Sequence, residues 1–302
     1  MSKRFVAIGE CMIEMSGGDG GDYRLGYAGD TLNTTWYARA LLPAGWSTDY
    51  VTALGDDLYS TRMRDFFAGN GIGTGHIQSI PDKRPGLYLI HQADGDRHFT
   101  YWRDRSAAKQ LADDRVALDA ALVGADLVYF SGITLAILDD HARGRLLHAI
   151  VTARDNGARV AFDPNVRPAL WSSSEVMRSV LTVGATLSDI VLPTHSDEKP
   201  IFGDQNPAET ATRYLDLGVS EVVVKDGADP ALVATADIRT SVAPAPGAVV
   251  VDATGAGDSF NGAYLSARMA GIEPAEAARQ AHAVAARVIA HRGALIDPAL
   301  LK

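Results

Sequence analysis

Asp252-Ala253-Thr254-Gly255-Ala256-Gly257-Asp258-Ser259-Phe260 joins a hydrophobic run, Gly247-Ala-Val-Val-Val251, to a segment of helical pattern at residues 261–270. An apolar run, a turn of small residues and a helix make up the repeating unit of an α/β chain. Small residues here let backbone N–H groups turn toward an anion at the helix N-terminus, where unpaired donors and the helix dipole favour negative charge. Asp258 sits inside that cradle, placed to take a proton from a hydroxyl that attacks a phosphoryl group held by the same donors. A capped helix start followed by a tight turn accounts for the run equally well. Both readings stand on this segment alone.

Outward from the run, the same unit repeats. Short runs rich in Val, Ile and aromatics at residues 5–8, 49–54, 127–130, 160–162, 190–192 and 221–224 read as strands buried on both faces. Helical patterns at 31–42, 58–69, 139–156, 175–184 and 207–217 lie between them, most closing near Gly or Asn. The alternation predicts a three-layer α/β/α fold with a mostly parallel central sheet and ligands at the carboxyl ends of its strands. Two stretches break the rhythm, residues 11–27 and 86–103. In the second, Leu87-Tyr-Leu-Ile-His91 and His98-Phe-Thr-Tyr-Trp-Arg103 flank Asp94-Gly95 and read as a β-hairpin. An aromatic hairpin does not stand alone, so the two stretches are expected to form a small β-sheet lid over the ligand face or against another subunit. No repeat or Pro/Gly-rich linker divides the 302 residues, and residues 1–302 are read as one domain.

Composition narrows the function. With 28 Lys and Arg against 37 Asp and Glu, net charge −9, the chain has no broad basic footprint for nucleic acid or an anionic membrane. An anionic ligand would need a local basic pocket. Cys11 is the sole cysteine, which rules out an intrachain disulfide and suits a reducing cytoplasm. Glu10 and Glu14 interrupt the first apolar stretch, unlike a secretory signal, and no run has the length of a membrane span.

Several constellations carry polar chemistry. Ala28-Gly29-Asp30-Thr31-Leu32-Asn33 opens the first long helix; Gly29 allows close backbone approach, and Asp30 with Asn33 one turn later forms a paired grip suited to sugar hydroxyls, although Asp30 could equally cap the helix. On the second hairpin strand Phe99, Tyr101 and Arg103 share a face, with Tyr88 on the partner strand a candidate to join them. Arg167, in Asp163-Pro-Asn-Val-Arg-Pro168, follows a buried strand; Arg103 and Arg167 converging on one site would supply bidentate carboxylate recognition, while taken singly each also reads as an ordinary structural arginine. Lys225-Asp226-Gly227 ends another strand at the same edge, within reach of a nucleotide or as a plain turn. Glu198 starts a helix and could orient metal-bound water or complement the helix dipole. Gly69-Asn-Gly-Ile-Gly-Thr-Gly75 follows a helix, which excludes the dinucleotide fingerprint, and no P-loop, zinc-protease or serine-esterase motif is present.

These residues together resemble the ribokinase-like, or PfkB-type, carbohydrate kinases, from Ile8-Gly-Glu10 through Ala28 to Asn33 and Leu54-Gly-Asp56 to the Asp252–Asp258 run. Within the family the chain is most similar to the 2-keto-3-deoxygluconate kinases, by Gly9-Glu-Cys-Met-Ile-Glu14, Pro85-Gly-Leu-Tyr88, Tyr101-Trp-Arg103, Ala107-Ala-Lys109, Ser131-Gly-Ile-Thr-Leu-Ala-Ile-Leu138 and Asn165-Val-Arg-Pro-Ala-Leu-Trp171. The resemblance implies ATP- and Mg²⁺-dependent phosphorylation of the 6-hydroxyl of 2-keto-3-deoxy-D-gluconate. It implies Asp258 as base and Gly255, Ala256 and Gly257 as anion-hole N–H donors. Gly29, Asp30 and Asn33 would hold the sugar, and Tyr88, Tyr101, Arg103 and Arg167 would close on the keto-acid end. Asn165, Lys225 and Gly227 would meet nucleotide phosphates and ribose. The chain departs from the family pattern at Ala28, Ala253 and His195, the last standing at the Asn of the N-x-x-E element whose Glu is Glu198. A kinase of a neutral sugar such as fructose, and a non-catalytic sugar-binding protein on the same scaffold, are the competing readings. An aromatic hairpin edge also favours a homodimer in which two lids pair.

Overall fold

The computed structural model describes residues 3–17, 21–93 and 96–301. The chain runs β1 (Lys3–Ile8), β2 (Met12–Gly17), β3 (Tyr23–Ala28), α1 (Asp30–Leu41), β4 (Trp46–Leu54), α2 (Leu58–Gly69), β5 (Ile72–Gly73), β6 (Ile77–Ser79), β7 (Gly86–Ala93) and β8 (Asp96–Trp102). It continues through α3 (Arg115–Leu122), β9 (Leu127–Ser131), α4 (Gly132–Ile137), α5 (Asp140–Asp155), β10 (Arg159–Asp163), α6 (Ser174–Thr186), β11 (Ile190–Val191), α7 (His195–Phe202) and α8 (Pro207–Asp216). It closes with β12 (Glu221–Asp226), β13 (Asp229–Ala234), β14 (Arg239–Val242), α9 (Ala256–Met269) and α10 (Pro274–Ile289).

Among the described residues ten strands form the large sheet, in the order β14-β13-β12-β11-β10-β9-β1-β4-β5 with β6 beside β4. Its centre is parallel, as the apolar runs predict, and the period of two explains the layering. Phe5 and Ala7 of β1 enter a core with Leu32 and Tyr37 of α1 and Tyr264 of α9. Val6 and Ile8 enter the opposite core with Leu118 of α3, Leu146 of α5 and Leu181 of α6. Local chemistry fixes the helix starts: Asp57 accepts the N–H groups of Tyr59 (2.8 Å) and Ser60 (3.3 Å) ahead of α2. Asn206 accepts that of Glu209 (3.0 Å) ahead of α8, which has Pro207 in its first turn.

Two features depart from the sequence reading. The strand that holds Lys225 is followed by two antiparallel strands, β13 and β14, that the alternation did not predict. Pro230 and Asp229 disguise β13, and both are compatible with the start of a strand near a sheet edge. Residues 247–251 are not a strand: they carry no regular structure, and Val249 is 68% exposed. Pro244 and Pro246 stand just before the run and cannot donate to a ladder, so the chain leaves the sheet there. It is re-anchored where Val251 and Asp252 donate their N–H groups to the Ile289 carbonyl at 2.7 and 3.0 Å.

The second sheet has the order β3-β2-β7-β8 and combines the two irregular stretches, with β2 parallel to β7 and β7 antiparallel to β8. The Asp94-Gly95 turn lies outside the described residues. Cross-strand register puts Glu14, Tyr88 and Tyr101 in one row. Met12, Ala28, Tyr88 and Ile90 of this sheet pack with Ala294, in the irregular segment after α10 and beside Gly255, so that face of the small sheet is turned toward the start of α9. A buried ion pair fastens α9 in turn: Arg268 donates twice to the carboxylate of Glu221 at the head of β12 (2.9 and 2.7 Å), and Tyr264 donates to it at 2.8 Å.

Candidate active site

Four parallel strands deliver their last residues to one place. Glu10 follows β1, Ser131 ends β9, Asp163 ends β10 and Lys225 is the penultimate residue of β12. The first turns of α1 and α9 face them, bringing Asp30 and Asn33 opposite Asp258. α9 begins at Gly255, whose φ of +76° is the left-handed conformation that favours glycine; a side chain there would also meet the Ala294 carbonyl at 2.8 Å. Gly29 is required by contact: a Cβ would lie 2.2 Å from the Glu10 carbonyl oxygen.

Asp258 is half-buried, and Asn33 Nδ2 donates to its Oδ2 at 2.8 Å. Its carboxyl is raised to about 7, chiefly by burial and then by the nearby carboxylates of Asp30 and Asp163, with Asn33 and Lys225 restraining the rise. A carboxylate with that pKa is a proton acceptor matched to neutral pH. The Ala256 N–H is taken by the Ala253 carbonyl at 3.2 Å, whereas the first intrahelical bond of α9 runs from Ser259 to Gly255 at 2.8 Å. Helix geometry therefore leaves the N–H groups of Gly257 and Asp258 directed out of the helix end. Of the three residues expected to donate, Ala256 is already occupied.

Of the two readings of the run, a side-chain cap is not what the carboxylates form. No side chain caps α9, whose N-cap is Gly255; Asp252 is buried and accepts the N–H groups of Thr254 (2.9 Å) and Gly293 (2.7 Å) outside the helix, and Asp258 faces α1. Asp30 is the first residue of α1 and makes no side-chain cap; the N-cap is Gly29. Its Oδ2 accepts instead from Asn165 Nδ2 at 2.8 Å, and burial raises its carboxyl above the usual range. Asn33 does two things: beyond Asp258, its Oδ1 accepts the Gly29 N–H at 3.4 Å.

On the opposite side Lys225 is buried, donating to Asp163 Oδ2 at 2.9 Å and to Asn261 Oδ1 at 3.0 Å. Gly257 lies beside its ammonium group: a Cβ built there would be 3.6 Å from Nζ. Asn165 holds a φ of +34°, with its N–H donating to Asp163 Oδ1 at 2.9 Å. Gly227 makes the turn between β12 and β13.

The keto-acid residues fall less neatly into place. Tyr88 is buried and donates to Glu14, and the rings of Tyr88 and Tyr101 lie 5.7 Å apart with Phe99 beside them, so these share a face as expected. Arg103 pairs with the buried Glu10, whose other oxygen has no partner. Arg167 donates to Asp197 at 3.2 Å and is half exposed. In this structure each guanidinium is paired with a carboxylate of its own neighbourhood, Arg103 with Glu10 and Arg167 with Asp197. Glu198 is buried in the first turn of α7, where Arg213 (2.7 Å) and Tyr214 (2.9 Å) both donate to Oε2; burial pushes its carboxyl up to about 7, and Oε1 has no partner. His195 contacts Thr210 at 3.1 Å.

Glu10, Glu14, Asp163 and Asn261 were not singled out from sequence. Their signals were present. Two glutamates interrupt an apolar segment, an aspartate stands two residues before Asn165, and an asparagine stands three residues after Asp258 on the same helical face.

The chain matches the model of the pfkB family carbohydrate kinases over residues 2–299. It is 42% identical over 303 residues to the 2-dehydro-3-deoxygluconokinase of Escherichia coli (strain K12), covering 98% of each chain. It is 41% identical over 302 residues to that of Dickeya dadantii (strain 3937), covering 98% of this chain and 97% of the relative. In fold it superposes on the PfkB protein from Polaromonas sp. JS666 with a TM-score of 0.86 at 25% identity, covering 99% of each. A match across nearly the whole chain, with Asp258 and its small-residue turn at the mouth of the parallel sheet, makes this protein a member of the pfkB family of carbohydrate kinases.

Proposed function

We propose that the protein is a 2-dehydro-3-deoxygluconokinase, transferring the γ-phosphoryl group of ATP to the 6-hydroxyl of 2-keto-3-deoxy-D-gluconate. The observation that carries the reaction is Asp258, a carboxylate raised to about 7 and held by Asn33 at the outward-facing N-terminus of α9. The substrate rests on the names of the full-length relatives. In the step, the 6-hydroxyl oxygen forms a bond to the γ-phosphorus as the bond from that phosphorus to the β,γ-bridging oxygen breaks, and the hydroxyl proton passes to Asp258. Gly257 and Asp258 N–H groups, with Gly255 setting the turn, and Lys225 receive charge that develops on the phosphoryl oxygens. Gly29, Asp30 and Asn33 bind the sugar, and Asn165 and Gly227 stand on the nucleotide side.

Mg²⁺ would neutralise the nucleotide phosphates. No group of three or more His, Cys, Asp or Glu side chains among the described residues could enclose it, so its ligands would come chiefly from phosphate and water. The unpartnered Oε1 of Glu198 fits a hydrogen bond from such a water. We take the small sheet, residues 11–27 and 86–103, as a lid on a single kinase domain. Phe99, Tyr101 and Trp102, all exposed on its edge strand β8, suit a homodimer through paired lids. No helix among the described residues is long and apolar enough to cross a membrane, and the lone buried thiol of Cys11 suits the reducing cytoplasm.

The pairing of Arg103 with Glu10 favours a second reading, a kinase of a neutral sugar such as fructose that needs no free arginine. Steady-state kinetics of Arg103→Ala separates the two, with Glu10→Gln as control for the carboxylate left unpaired. A keto-acid kinase shows KM for the acid raised about ten- to a hundredfold, the worth of a charged hydrogen bond. Unchanged KM for every turned-over sugar assigns the neutral-sugar reading instead.

A further inference from the structure

Asp163 touches both halves of the candidate site and belongs to neither. Its carboxylate is buried at the end of β10 and accepts three hydrogen bonds: Lys225 Nζ at 2.9 Å and Asn261 Nδ2 at 2.6 Å on Oδ2, and the Asn165 N–H at 2.9 Å on Oδ1. The third bond restrains a residue in left-handed backbone, φ +34°, whose side chain then reaches Asp30 at 2.8 Å. The second continues through Asn261 Nδ2 to the Tyr129 hydroxyl at 3.2 Å, which also accepts from Thr34 of α1. Every link in this chain is a donor meeting an acceptor, so a shift at one end is felt at the other.

We propose that Asp163 is the positioning residue that sets the nucleotide side of the site against the sugar side, holding Lys225 directly and Asp30 through Asn165. This rests on the kinase reading above, in which Lys225 meets phosphates and Asp30 meets the sugar. Asp163 needs no contact with either substrate. It supplies the counter-charge that keeps a buried ammonium in place, and an amide of the same shape would not. Its charge also reaches the base: the groups around Asp258 are Asp30 and Asn33 from α1, Asp163 from β10 and Lys225 from β12, and the two carboxylates raise its pKa while Asn33 and Lys225 lower it.

The test is Asp163→Asn, read by three measurements on the full chain. Calorimetric binding of a non-hydrolysable ATP analogue, which needs no sugar, is expected to weaken about tenfold or more. The acid limb of kcat/KM is expected to move downward by roughly one pH unit, since a negative charge near Asp258 is lost while Lys225 keeps its own. Asp163→Glu, which keeps the charge but displaces it, should leave the limb in place and still weaken the analogue. Parental analogue affinity and an unmoved limb in Asp163→Asn, with only a lowered unfolding midpoint, would show a merely structural role and overturn the proposal. Should Asp163→Asn fail to fold, Asn261→Ala decides in its place: about two- to tenfold weaker analogue binding with unchanged sugar KM supports it, and unchanged binding overturns it. A parent enzyme that binds the analogue but phosphorylates no keto acid refutes the substrate assignment and leaves the role of Asp163 open to the same binding measurement.

Discussion

Asp258→Asn is expected to lower kcat by about two to four orders of magnitude, the usual loss when a general base is removed, while KM for both substrates stays within a few-fold. The amide has the carboxylate's shape and its oxygen can still accept from Asn33, which donates at 2.8 Å in the parent, so circular dichroism and the unfolding midpoint should change little. The sign of the pH dependence follows from the raised pKa. The base works only when ionised, and burial with Asp30 and Asp163 nearby brings its titration to about 7, so kcat/KM of the parent should climb through neutral pH and level off above it. The residual activity of Asp258→Asn should lack that limb. Retention of more than a tenth of parental kcat would remove Asp258 from the base role.

Lys225→Met is expected to act on both stability and catalysis. Removing one partner of a buried ion pair leaves the carboxylate of Asp163 with amide donors alone, and such losses typically destabilise by about 3–5 kcal/mol. Urea unfolding reads this directly. The same change removes the cation that lies beside Gly257, where the transferred group is proposed to sit, and loss of one such stabilising group costs about two to three orders of magnitude in kcat. Asp258→Asn and Lys225→Met thus separate cleanly, because the first spares folding and the second does not. A Lys225→Met enzyme with parental stability would mean that the Lys225–Asp163 pair contributes nothing net to folding.

The large sheet was legible because its strands are buried on both faces and so read as continuous apolar runs; β1, β4, β9, β10 and β12 all fall where Val, Ile and aromatics cluster. The antiparallel edge was not, since β13 opens on the exposed Asp229 and Pro230, and β14 is four residues long with Arg239 and Ser241 exposed, so neither gives an apolar run. The run at 247–251 misled for the opposite reason: its valines satisfy the local pattern, but no neighbouring strand is available beyond Pro244 and Pro246. In the site, residues whose partners are close in sequence or on one strand face were readable, among them Asp30 with Asn33 and Tyr88 with Tyr101. Arg103 and Arg167 were paired by charge alone, and charge says nothing about which carboxylate stands nearest. Glu10 and Asp197 take them at short range, and only the tertiary fold brings those residues up. Asp163 stayed hidden because its importance lies in three partners separated from it by 2, 62 and 98 positions.

Which sugar the enzyme phosphorylates, and on which atom, decides the assignment. Incubating the purified chain with ATP, Mg²⁺ and, in separate reactions, 2-keto-3-deoxy-D-gluconate, its galactonate epimer, fructose and ribose, and following each by phosphorus-31 NMR with proton coupling, reports both the preferred substrate and the esterified carbon. 2-Keto-3-deoxy-D-gluconate is expected to turn over with the highest kcat/KM and to yield a phosphate ester on the terminal CH₂ at position 6. Faster turnover of fructose or ribose, or no ester from any keto-deoxy acid, would contradict it.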